Sequence, residues 1–499
     1  MVVRRGVPPL GDGVRARGGG TGQVLGLVVA LVLAGVGLHQ LRRNVIAAFF
    51  RDAPPGPAPL LQQAPPGTRG LSVVSRVRVL LIDGLSAPQA DKLPGLRALC
   101  SQGFQGLVDT GFPTVSLPVQ HVLWTGLTQT QAGRLYRLTA LPEPPPTSLP
   151  FRSVNSRAVA ESHPHIVKSF GFDHVWHGPK THDDAAWAAF TQAAEAAVAS
   201  DAPLAFVHVL RVDVAGHEAG ARAPGYTEAA ARADALLTQL TTRAPPSEHT
   251  RWFVLSDHGH RPQGGHGGAE PMIRQVRGCV VGALPKTEGP RPLHLVDLHR
   301  ALADSLGMNP DPRAPGRPFA FALHHPDEGA TLPHPGAARW LAAALFLLAA
   351  FGLTLRLART RAWLWPSWAL VAYVSLTGGF GALTLSNPVV YPPFGRDLLL
   401  GALPGFVWLA WVSARQRDPF WRTVLAQLTL PTAFLLASGG LCGAFSALAS
   451  RQGAPPLMPL WSAHFSAAAA MLSGACFTLA LVGLVTWIRR TFNEVRRTD

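Results

Sequence analysis

The chain has 499 residues, enough for one large α/β unit and a second part, because single hydrophobic cores seldom grow beyond about 250–300 residues. A formal charge of +15 could suit a nucleic-acid partner, but the arginines gather beside apolar segments, as the positive-inside rule of membrane proteins requires, and nucleic acid is set aside as a partner. The four cysteines form no framework: Cys442 and Cys476 lie in apolar runs, and a Cys100–Cys279 disulfide is open but has no spacing signal to support it.

Residues 1–23 form a basic tail carrying Arg4, Arg5, Arg15 and Arg17, and an apolar run follows at 24–38. Extended to residue 41, before Arg42 and Arg43, the run is read as an uncleaved membrane anchor rather than a cleaved signal peptide. Residues 42–69 include a proline-rich stretch at 53–67, which reads as an extended, semi-rigid spacer because proline fixes φ and donates no hydrogen bond.

From residue 70 to 325 short β-branched runs alternate with alanine-rich stretches, which predicts an α/β domain with a mostly parallel sheet flanked by helices. Strands are expected at 77–82, 204–210, 252–255 and 275–281, and helices at 184–199, 226–241 and 295–306. Three of these strands run into Asp or His, and open α/β sheets place their sites at the carboxyl ends of strands.

After Pro335 the composition turns apolar, and five spans are expected within residues 336–490, near 340–355, 363–385, 398–413, 424–448 and 465–488. Arginine alternates between the intervening loops, and Arg489, Arg490, Arg496 and Arg497 mark the end leading into and through the tail at 491–499. With the anchor this gives six spans, both termini cytoplasmic and the 70–325 domain on the non-cytoplasmic face. No acid, lysine or arginine lies inside a span, so no proton or ion path is expected.

Four segments carry chemistry. The first strand ends in Asp83-Gly84, which alone could be a cap or turn. Ser116, in Phe112-Pro113-Thr114-Val115-Ser116-Leu117-Pro118, precedes a helical stretch, where a helix dipole favours an alkoxide or a phosphate; alone it could equally be a helix cap. Asp213 and His217 stand four apart and can converge on one metal if the chain turns at Gly216. Asp257-His258-Gly259-His260, followed by Gly264-Gly265-His266-Gly267-Gly268, is costly to explain structurally, because buried carboxylates and imidazoles need partners. Together these make two N/O clusters suited to two divalent metal ions such as zinc, which can activate a nucleophile and neutralise phosphoryl oxygens.

In order and spacing these segments resemble the alkaline phosphatase superfamily, within it the nucleotide pyrophosphatase/phosphodiesterases and the membrane-bound enzymes that transfer ethanolamine phosphate onto glycosylphosphatidylinositol anchors. The resemblance implies that Asp83, Ser116, Asp257 and His258 hold one metal and Asp213, His217 and His266 the other, with Ser116 the nucleophile that becomes transiently phosphorylated. Thr114 is the rival nucleophile, but Ser116-Leu117-Pro118 matches the family's hydroxyl before an X-Pro pair. The stretch 296–307 resembles the family's closing helix.

The sequence departs at Arg137, where the pyrophosphatases carry a phosphate-binding Asn; arginine can clamp phosphate too. The short gap between His258 and His266, and a catalytic domain set between one span and several, are similar to the transferases. The expected substrate is a membrane lipid or other phosphoester. A hydrolase sharing every site residue is the first alternative, and a non-catalytic membrane scaffold is the alternative of another class. A sulfatase is disfavoured because no CxPxR sequence appears.

Overall fold

The computed structural model describes residues 19–49, 52, 55–59, 61–325 apart from 135, 136, 180, 182, 269, 290 and 291, and 458–496. The first four expected C-terminal spans lie outside these residues.

The strands are β1 (Arg76–Ile82), β2 (Phe104–Asp109), β3 (Arg157–Ala160), β4 (His174–His177), β5 (Leu204–Val209), β6 (Thr250–Leu255), β7 (Gln275–Val281), β8 (Thr287–Glu288) and β9 (Leu293–His294). One sheet holds them in the order β4-β3-β5-β1-β6-β7-β2-β8, with β9 also on β2. The half from β4 to β6 is parallel, whereas β7 is antiparallel to both β6 and β2.

Alternation along β1 shows why the sheet is central: Val77, Val79 and Leu81 enter one hydrophobic core, Leu80 and Ile82 the other. A strand buried on both faces reads as a largely apolar run; here Arg78 interrupts it, its buried guanidinium donating to the carbonyls of Val198, Ser200 and Ala202. The helices Asp184–Ala199 and Pro224–Arg243 cover one face, and Ser116–Thr125 with Leu295–Ser305 the other. Cys100 and Cys279, with Cα atoms 5.3 Å apart, form a disulfide that ties the helix Pro94–Cys100 to β7.

The in-register pairing of β1 with β5 and β6 sets Ile82 opposite Val209 and Leu81 opposite Leu255. Their carboxyl ends therefore lie side by side, and Asp83, Asp213 and Asp257 leave the sheet within a few residues of one another.

Two further helices, Gly19–Phe49 and Met458–Val495, contain segments long and apolar enough to cross a membrane, at Gly22–Leu41 and Leu472–Asn493. They pack on each other: the Ser473 hydroxyl donates to the Gly35 carbonyl at 2.8 Å, and a Cβ on Gly35 would lie 3.1 Å from the Phe477 ring.

Candidate metal and phosphoryl-transfer site

Asp83 follows β1 and is fully buried. The hydroxyl of Ser116, the first residue of its helix, donates to Asp83 Oδ1 at 3.4 Å and lies 3.3 Å from His258 Nε2. That Nε2 is 3.3 Å from Asp83 Oδ1 and 3.6 Å from Asp257 Oδ2. Asp257 Oδ1 accepts the backbone N–H groups of Gly84 and His258, whereas Oδ2 is buried without a donor among the described residues. Asp83, Asp257 and His258 thus offer three ligand atoms within 4.8 Å of one another. A buried carboxylate oxygen left over in this way fits a cation.

The second cluster is more open. Asp213 and His217 lie one turn apart in the helix Arg211–Ala219, so no chain turn at Gly216 is needed to bring them together. Gly216 has a different task, since a Cβ there would come 2.4 Å from the His260 ring. Asp213 Oδ1 is 3.4 Å from His217 Nε2 and 3.6 Å from His266 Nε2, and the two imidazole nitrogens are 3.0 Å apart. His266 stacks on His258 with ring centroids 3.6 Å apart, and His258 Nε2 is 3.9 Å from Asp213 Oδ1, so the clusters share an edge. His217 is exposed while Asp83, Asp257 and His258 are not, which sets the side from which a substrate approaches.

All seven expected ligand residues are therefore brought together. The two weaker expectations, Thr114 and Arg137, are not. The Thr114 hydroxyl donates to the Gly268 carbonyl at 2.8 Å and accepts the Gly267 N–H at 3.0 Å, and its carbonyl accepts from His266 Nδ1 at 2.8 Å. It clasps the glycine-rich loop and aims His266. Arg137 turns away, its guanidinium bonded to Asp52 and to the carbonyls of Thr139 and Ala140.

Two histidines outside the expected set join the site. His260 Nε2 is 2.8 Å from Asp213 Oδ1, and His208 Nε2 is 2.8 Å from Asp83 Oδ2. His260 was visible in the quoted motif. His208 sits inside the apolar run of β5, where a lone histidine reads as a core residue.

Electrostatically the site is an acid cluster closed by imidazoles. Burial works against ionisation of Asp83, but hydrogen bonds from His208 and His258 hold it well below the usual carboxylate range. Burial and the neighbouring Asp83 push Asp257 up to about 7. His258 is raised to about 10, because Asp257 and Asp83 outweigh its burial. Burial and the nearby His258 keep His266 well below its ordinary value, ready to offer a neutral nitrogen.

Residues 143–268 match the family described as Type I phosphodiesterase / nucleotide pyrophosphatase. Similar solved structures include a protein in the alkaline phosphatase superfamily from Vibrio parahaemolyticus, 13% identical over 60% of this chain and 78% of that one, TM-score 0.36. Murine ectonucleotide pyrophosphatase / phosphodiesterase 5 is 13% identical over 50% and 99%, TM-score 0.38. A putative sulfatase from Bacteroides thetaiotaomicron is 14% identical over 50% and 74%, TM-score 0.38. Among curated proteins none matches the chain. The Asp/His clusters have the donor atoms and spacing to hold metal ions.

Proposed function

We propose that the chain is a membrane-bound phosphotransferase that moves a phospho-head-group of phosphoethanolamine type from a lipid-linked donor, through a phosphoserine at Ser116, to an acceptor hydroxyl. The observation that carries this is the position of Ser116: its hydroxyl stands at a helix N-terminus, within 3.4 Å of Asp83 and 3.3 Å of His258, with the second cluster sharing an edge. Two divalent ions, zinc by the mixed Asp/His donor set, would be held by Asp83, Ser116, Asp257 and His258 and by Asp213, His217 and His266; they supply charge for the phosphoryl oxygens and the leaving oxygen.

In the first step Ser116 Oγ gives up its proton and forms the bond to phosphorus as the donor's ester oxygen breaks from it and leaves as an alcohol, having taken up a proton. In the second an acceptor hydroxyl gives up its proton and attacks that phosphorus from the opposite side, and Ser116 Oγ leaves and regains a proton, so each step moves one proton from the attacking to the departing oxygen. The helix N-terminus favours negative charge on Oγ in both steps.

Membrane attachment is supported by the paired apolar helices, which leave Leu33, Val36 and Leu481 more than half exposed. The Cys100–Cys279 disulfide supports a non-cytoplasmic domain, since such bonds persist in oxidising compartments. The second reading, hydrolysis with water as acceptor, is favoured by the phosphodiesterase family match.

The test is to offer the full chain phosphatidylethanolamine vesicles or a simple aryl phosphodiester and to map the trapped adduct by mass. The proposal expects the adduct on Ser116 and its loss, with nearly all turnover, in Ser116→Ala. An adduct on Thr114, or normal turnover of Ser116→Ala, removes the covalent mechanism. Free head-group phosphate as the sole product, even with acceptor alcohols present, selects the hydrolase. A folded protein that takes up no metal and turns over neither substrate is the scaffold.

A further inference from the structure

His208 has no packing reason to be a histidine. It lies on β5 among Leu204, Ala205, Phe206, Val207 and Val209, all fully buried, and is itself fully buried. Its ring stacks on Phe206 with centroids 5.9 Å apart and planes 13° from parallel, and Phe206 packs edge-on to Trp124 at 5.0 Å. An apolar side chain would suit such a floor. The imidazole instead leaves Nδ1 buried with no hydrogen-bond partner among the described residues, a cost of burial that a hydrocarbon would not carry.

What the ring gains is one close contact: Nε2 lies 2.8 Å from Asp83 Oδ2, with the buried Gln120 amide, one turn beyond Ser116, 3.4 Å from the same nitrogen. Asp83 divides its oxygens accordingly. Oδ2 is taken by His208, and Oδ1 faces the Ser116 hydroxyl and His258. Without a donor at Oδ2 the carboxylate is free to rotate or to present both oxygens to a cation.

We infer that His208 is a positioning residue that fixes the Asp83 carboxylate, so that a single oxygen, Oδ1, is presented to Ser116 and to the metal beside it. The inference rests on the two-metal reading of the site. It gives the Ser116 helix and β5 a shared polar contact across the aromatic floor, and it makes the geometry of the nucleophile depend on a strand that contributes no ligand.

The experiment is a calorimetric titration of the chelator-stripped full chain with zinc alone, paired with thermal unfolding of the same stripped samples. His208→Phe fills the aromatic floor but removes the donor. It should weaken one of two zinc sites by roughly 10–100-fold, the usual cost of losing a partner that orients a ligand, while the melting temperature of the stripped protein holds or rises. His208→Gln, which keeps an N–H near the place of Nε2, should recover most of the affinity. Wild-type zinc affinity in His208→Phe overturns the inference, as does equal loss in His208→Gln or a melting temperature that falls together with the affinity. A wild-type chain that binds no zinc overturns the two-metal reading itself, and this inference with it.

Discussion

Thr114 shows how two neighbouring hydroxyls acquire different work. Ser116 opens the helix and its oxygen is left facing Asp83 and His258, whereas both partners of the Thr114 hydroxyl belong to the glycine-rich loop and its carbonyl holds His266. Thr114→Val should therefore leave the phosphorylated peptide at Ser116 and weaken zinc at the Asp213 cluster by roughly 10–100-fold, as losses behind a ligand do. A phosphopeptide map and a zinc titration read the two effects separately; unchanged zinc affinity would show that the clasp does not matter. The legible part of the site was the part written as local motifs. Asp83-Gly84, Asp213 with His217, and Asp257-His258 with His266 stand at strand ends or in glycine-rich sequence, where polar residues have no core to serve. His208 was not legible, since its partner is 125 positions away and its neighbours are apolar.

At the scale of elements, the helix carrying Ser116 sits on the helix Leu295–Ser305, and each holds a buried histidine, of which His299 bridges the two and His121 bonds within its own helix. His299 Nδ1 donates to the Leu123 carbonyl at 2.9 Å, and His121 meets Thr125. Burial first, then positive neighbours such as Arg134, lowers His121 to about 3, and burial lowers His299 to about 4. Both are neutral in the fold, and the unfolded chain takes up their protons first. Stability from this pair is complete above about 6.5, the ordinary histidine value, and is lost as pH falls from there toward 4. For His299 alone the loss is on the order of 3 kcal/mol. Urea midpoints should drop between pH 7 and pH 5, and His299→Asn, which retains a donor for Leu123, should flatten that slope. Parallel pH profiles for the two proteins would disprove the assignment.

The same scale explains which elements were readable. The helix Asp184–Ala199 and strand β7 have the expected bounds, because alanine-rich and β-branched runs announce themselves. That β7 runs antiparallel was not readable, since its direction is set by pairing with β6 and β2. Strands β3 and β4 are four residues each and too short for a period to show. The disulfide had no spacing signal because 179 residues separate its cysteines.

For the whole molecule that separation has an energetic meaning. A cross-link closing so long a loop removes much of the freedom of the unfolded chain, about 3–5 kcal/mol in the loop-closure account. Cys279→Ser should lower the melting temperature by roughly 10 °C for a domain of this size, without changing zinc stoichiometry. Identical melting with and without reductant would show that the bond adds nothing. The contact between the helices Gly19–Phe49 and Met458–Val495 spans more of the chain still, for Ser473 and Gly35 are 438 positions apart. At about 5–20 residues per second of synthesis, Gly35 is added to the chain roughly 20–90 s before Ser473. Through that interval Ser473 and Phe477 are not there for the first helix to meet, so this pairing is completed only after the sheet domain has been made.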